Sequence, residues 1–138
     1  MTMVTETDSP LWRHQEDALG FLEPLNHGGL FSQMGSGKSR VVAELIKRRG
    51  HKRVLVVCPK AVVPVWEEQM PRWEVGLPVL ALGQGSTRKR AEMPVDLVKR
   101  QARLETSGLG AVVVVNYDAA YRGELSKAIR VLGWDLLV

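Results

Sequence analysis

The stretch Gly28–Arg40, GGLFSQMGSGKSR, decides how the rest of the chain is read. A short apolar run, Leu30-Phe31, is expected to be a strand that enters a glycine-rich turn. Lys38-Ser39 then opens an amphipathic segment. Strand, glycine turn, Lys-Ser and helix, in that order, form the context that a phosphate-binding loop requires. Gly35 and Gly37 accept positive φ and let the backbone come close to an anion. Successive N–H groups would point inward, and the helix N-terminus would add its partial positive charge. Lys38, the candidate catalytic lysine, would reach the β- and γ-phosphates, and the Ser39 hydroxyl would ligate Mg²⁺. The candidate nucleotide contacts in the loop are Met34, Gly35, Ser36, Gly37, Lys38, Ser39 and Arg40. The loop pattern asks for glycine six residues before the lysine. Ser32 stands there, a small residue with which the turn is expected to survive.

Working outward, apolar runs alternate with amphipathic segments, the pattern of an α/β domain. Ser9 as N-cap and Pro10 at the first helical position predict a helix reaching about Leu22. A second helix is expected from Lys38 to Arg49, with Val41, Val42, Leu45 and Ile46 on its apolar face. Glu44 and Arg48 form an i,i+4 pair on it. VLVVC (Val54 to Cys58) is a continuous apolar run of the kind found in buried parallel strands, and Pro59 ends it. A helix is predicted around Val63 to Trp73, with Pro64 near its start and Pro71 near its end, and a short strand at VLAL (Val79 to Leu82). AVVVV (Ala111 to Val115) is the clearest buried strand. Tyr121, Leu125, Ala128, Ile129 and Leu132 then share a helical face, and Trp134 to Val138 read as a last strand. Five or six strands with intervening helices favour right-handed crossovers and a mostly parallel sheet covered on both faces. Residues 1–8 are polar and are expected to form a flexible tail.

The 138 residues are enough for about one domain of typical size, and for a core that needs no cross-links. A hydrophobic fraction of 45% and a charged fraction of 25% exclude a disordered chain, a collagen and a coiled coil. No apolar run approaches the roughly 20 residues that span a bilayer, so no membrane role is expected. The first ten residues do not read as a secretory signal. A single cysteine, Cys58, excludes an internal disulfide framework or a cysteine-type zinc site. It weakly suits a reducing cytosol, so a cytoplasmic setting is expected, or a nuclear one in a eukaryote. The net charge is +4, and the segment Gln84–Glu105 holds six basic and three acidic residues. Such a concentration, with Arg88, Lys89 and Arg90 adjacent, hints at a polyanion partner, while charge alone favours a solvated helix face.

Together with LWRHQ (Leu11 to Gln15) upstream, the loop resembles the opening of a helicase superfamily two motor, most like the Swi/Snf-type ATP-dependent DNA translocases. The resemblance implies the N-terminal part of a first RecA-like motor domain, with a P-loop NTPase fold. In that family a glutamine ahead of the loop reads the adenine edge, which gives Gln15 that role. An amide can pair bidentately with adenine N6 and N7. VLVVCPKAVVPVWEEQMPRW (Val54 to Trp73) resembles the family's second motif, whose strand end contacts the nucleic-acid backbone, so Lys60 is the expected phosphate contact. Trp66 and Trp73, seven apart, are expected in the core. VVVVNYDAAYR (Val112 to Arg122) resembles the strand leading to Ser/Asn-Tyr-Asp/Glu. Asn116 there would touch nucleic acid, cap the following helix, or both.

WDLLV (Trp134 to Val138) resembles the strand that in the family runs into Asp-Glu-x-His, and the chain is expected to stop about two residues short of those acids. Asp135 precedes the acidic position. The resemblance therefore implies ATP and Mg²⁺ as cofactors, DNA (by family likeness double-stranded) as partner, and a second motor domain that would supply an arginine finger. Phosphoryl transfer here relies on positioning and charge neutralisation, so the chain alone is expected to bind nucleotide weakly and not to turn it over. Two further readings stay open. One is a non-catalytic DNA- or protein-binding remnant of such a motor, self-associating through an exposed sheet edge. The other is an unrelated P-loop ATPase or small-molecule kinase.

Overall fold

The computed structural model describes residues 10–31, 37–82, 99, 110–121 and 123–138. Two compact units emerge, Met1–Gly50 with Gln69–Gly76, and His51–Glu68 with Leu77–Val138.

The first unit is built on two helices, α1 (Arg13–Leu22) and α2 (Lys38–Arg49). Leu19, Val41 and Leu45 are buried between them, with Leu11, Ala18, Leu22 and Leu30 packed alongside. The predicted α2 appears with the predicted bounds, closed by Gly50 in the left-handed conformation (φ 66°). Helix α1 starts later than Ser9 and Pro10 suggest, at Arg13. The Gln15 carboxamide oxygen accepts the Trp12 N–H at 2.8 Å, which fixes the first turn there. The anticipated Glu44–Arg48 pair gives way to Glu44–Lys47 at 2.7 Å. Arg48 instead reaches across to Glu16 on α1 (3.4 Å) and to Glu23 just after it (3.7 Å). Exposed pairs of this kind add little stability, about 0–1 kcal/mol each.

Leu30-Phe31 is not a strand in the structure. Leu30 packs on the α1–α2 cluster and the Phe31 ring is 97% exposed. Leu30 is drawn to the helix pair, which takes this segment out of the sheet.

The second unit holds a four-stranded, all-parallel sheet in the order β2-β3-β1-β4, made of β1 (Arg53–Cys58), β2 (Val79–Leu82), β3 (Ala111–Asn116) and β4 (Leu136–Leu137). The fold is α/β, a parallel sheet flanked by helices, with four strands among the described residues rather than five or six. β1 and β3 run in register from Arg53 opposite Ala111 to Cys58 opposite Asn116. All six residues of β3 are buried, as a continuous β-branched run predicts for a strand covered on both faces. Gly110 is required where this pairing starts, because a Cβ there would run into the Lys52 backbone. Its neighbour Ala111 donates its N–H to the Lys52 carbonyl at 2.7 Å.

Beyond β1 the chain makes a short 3-10 turn, Lys60–Val62, and enters α3 (Val63–Arg72). Beyond β3 come α4 (Tyr117–Tyr121) and α5 (Gly123–Val131). Leu125 and Ile129 of α5 pack on Leu55, Leu82, Val113 and Val115, with Ala128, Leu132 and Trp134 beside them. Tyr121 does not join that face. It is 55% exposed, and its hydroxyl donates to Asp118 at 3.3 Å. Ala119 and Ala120 of α4 pack on the cluster instead. Among the described residues no helix is long and apolar enough to cross a membrane.

Candidate functional site

In the first unit, Gly37 is the N-cap of α2 and adopts φ 79°, ψ 35°. Only glycine takes this left-handed conformation without strain. A Cβ at Gly37 would also collide with the Gln15 amide nitrogen. Gln15 Nε2 donates to the Gly37 carbonyl at 3.2 Å, and the same carbonyl accepts the first intrahelical bond, from Val41 N–H at 3.4 Å. Gln15 is 3% exposed. It joins the start of α1 to the residue where the candidate loop becomes a helix. An amide of this kind has two lone pairs on Oε1 and two hydrogens on Nε2.

Lys38 and Ser39 form the first turn of α2, both half-buried. The first N–H groups of a helix have no intrahelical acceptor and give that end a partial positive charge. No acidic side chain stands in this turn to neutralise it, while Lys47, Arg48 and Arg49 sit in the last. A left-handed glycine, an amine, a hydroxyl and a helix start without a carboxylate suit an anion such as a phosphate. Met34, Gly35 and Ser36 lie outside the described residues. Arg40 turns inward. It is 9% exposed, its guanidinium lies 4.5 Å from the centre of the Trp73 ring, and its Nη1 donates to the Pro10 carbonyl at 3.5 Å.

In the second unit, Lys60 and Asn116 stand at the C-terminal ends of neighbouring strands. Lys60 follows β1 by two residues and is exposed. Asn116 ends β3, directly opposite Cys58. The Asn116 Oδ1 accepts the Ala119 N–H at 2.9 Å, so this residue caps α4. The outer ends of parallel strands are the usual place for a ligand in open α/β sheets. Arg88, Lys89 and Arg90 lie outside the described residues.

Two other groups are accounted for by structure. Asp135 accepts the N–H groups of Lys52 (2.9 Å) and Arg53 (3.0 Å), tying the start of β4 to the start of β1. The Lys52 N–H holds its carboxyl below the usual range against the opposing effect of burial, with the Arg53 N–H and the charges of His51 and Arg53 acting in the same direction as Lys52. Cys58 is buried, and burial pushes its thiol up. A thiol that stays protonated is a poor nucleophile. Among the described residues, no group of three or more His, Cys, Asp or Glu is placed to hold a metal ion.

The contact that sequence reading missed is Arg40 on Trp73. The tryptophan was assigned to a packed helix face. Its partner lies far away in sequence on another helix, and no local periodicity signals such a pair.

No family model matches the chain, and no curated protein matches it in sequence.

Proposed function

We propose that this chain binds a nucleoside triphosphate through the start of α2, as the nucleotide-binding part of an ATP-dependent motor that moves on DNA. The observation that carries the reading is Gly37. It is a left-handed glycine that caps α2 directly before Lys38 and Ser39, and its carbonyl is held by Gln15. Such a helix start attracts phosphate through its N–H groups and its dipole. Lys38 and the Ser39 hydroxyl are the groups that would hold the phosphates and Mg²⁺. Mg²⁺ would neutralise charge that develops on the transferred phosphoryl group. Gln15, already beside the loop, is the residue for the adenine edge. Lys60 and Asn116, at adjacent strand ends, are the residues for the DNA backbone, with Arg88, Lys89 and Arg90 as the basic segment that adds affinity. A parallel α/β sheet is compatible with the RecA-like fold that this reading requires.

The test is titration of a fluorescent ATP analogue, with Mg²⁺, against the wild-type chain and Lys38→Ala. Saturable binding that weakens at least tenfold in Lys38→Ala is expected. Equal binding by both proteins, or none by the wild type, would overturn the reading.

A further inference from the structure

Arg40 follows the Lys-Ser pair directly, yet its guanidinium is spent on protein. It stacks on the Trp73 ring at 4.5 Å and reaches the Pro10 carbonyl. Trp73 is itself fixed. Its indole N–H donates to the Gln69 carboxamide oxygen at 2.8 Å, its backbone N–H donates to the Gln69 carbonyl at 3.1 Å, and the Arg72 guanidinium lies 5.5 Å from the same ring. The ring therefore cannot swing freely to follow Arg40. All of these residues belong to the first unit.

The first turn of α2 needs such an anchor. Its opening bond, Val41 N–H to the Gly37 carbonyl, is long at 3.4 Å, and that carbonyl is shared with Gln15. A guanidinium on an indole face is a strong contact when partly desolvated. Its planar geometry fixes orientation as a lysine ammonium does not.

We infer that Arg40 is a positioning residue that acts through Trp73: the stacked pair holds the first turn of α2 so that Lys38 and Ser39 present one fixed geometry to an anion. Arg40 does not contact the phosphates. The inference rests on the proposed nucleotide site for its functional consequence, while the anchoring itself is measurable without nucleotide.

The experiment therefore has two readouts on the same proteins. The first is hydrogen exchange of the Val41 amide in the unliganded chain. The second is affinity for a fluorescent ATP analogue with Mg²⁺. Trp73→Ala and Arg40→Ala should each speed Val41 exchange about tenfold, the scale of one desolvated cation–π contact, while β3 amides keep their protection. Trp73→Phe, which retains an aromatic face, should restore most of the effect. Arg40→Lys, which keeps the charge but not the plane, should not. Affinity should fall by the same factor in both alanine variants and no further in the double variant. Unchanged Val41 exchange in Trp73→Ala overturns the proposal, as does an affinity loss confined to Arg40→Ala. If Trp73→Ala loses its β3 protection and unfolds, Arg40→Lys against Trp73→Phe decides by the same two readouts. A wild type that binds no nucleotide retires the nucleotide reading alone, and Val41 exchange still decides whether the pair anchors the helix.

Discussion

The Gln15 side chain bridges Trp12 and Gly37, accepting the N–H of one at 2.8 Å and donating to the carbonyl of the other at 3.2 Å. One buried amide thus sets both the start of α1 and the backbone that precedes α2. Both bonds need the amide as it stands, an acceptor on one side and a donor on the other.

Gln15→Ala is expected to destabilise the chain by about 1–3 kcal/mol, because the Trp12 N–H and the Gly37 carbonyl both lose a buried partner. Gln15→Glu should cost at least as much at neutral pH. It keeps the acceptor for Trp12 but sets a carboxylate oxygen against the Gly37 carbonyl. Urea unfolding of the three proteins measures this, and a Glu variant as stable as the wild type would remove the donor role.

Gly37→Ala is expected to cost about 1–3 kcal/mol from the left-handed backbone alone. The new methyl also meets Gln15. Adding Gln15→Ala should therefore recover part of the loss, a non-additivity that a double-mutant cycle reads directly.

Asn116 has a capping role that Asp can fill and Ala cannot. Asn116→Ala should cost about 0.5–2 kcal/mol, and Asn116→Asp close to nothing. In DNA binding the order changes. Asp places a negative charge at the strand ends near Lys60, so a phosphate contact there would weaken in Asn116→Asp despite its full stability. Thermal melts together with salt-dependent DNA titrations separate the two roles.

Asp135 has a folded pKa below its unfolded value, held down chiefly by the Lys52 N–H. Its contribution to stability is therefore complete above the unfolded value of about 3.9. It is lost as pH falls through that value toward the folded one. Asp135→Asn should flatten this acid limb of the stability–pH profile while leaving the profile above pH ~5 parallel to that of the wild type. Urea midpoints across the acid range test it.

Ile129 and Tyr121 are a contrasting pair. Ile129→Ala removes a residue that is 5% exposed and packed on β1 and β3, and about 2–5 kcal/mol should be lost. Tyr121→Ala touches an exposed ring and should stay within about 0.5 kcal/mol. Equal losses would return Tyr121 to the core.

Much of the sheet was legible because its strands are continuous apolar runs. VLVVC and AVVVV contain enough β-branched residues to be largely buried, VLAL forms the half-buried edge strand, and all three pair in parallel. Helix α2 was legible from its apolar face and the glycines at its ends. Leu30-Phe31 was not, since the same two residues can join a sheet or a helix pair, and only the tertiary competition decides. Tyr121 was misplaced because its large ring outweighs the small side chains of Ala119 and Ala120 in an apolar pattern, yet those two are the α4 residues that pack on the core. At the candidate site, the turn at Gly37 followed from the glycine pattern. The Gln15–Gly37 and Arg40–Trp73 contacts join distant segments, and local sequence carries no signal for either.

The register that sets Arg53 opposite Ala111 has a kinetic consequence. The two central strands cannot zip together until a long intervening stretch has closed into a loop, and that entropy is lost before any ladder bond forms. Helices of 10 and 12 residues gain most of their stability from packing, so they do not relieve the sheet of this encounter. Refolding should therefore be limited by this encounter, and the Val112–Val115 amides should gain protection in the rate-limiting step.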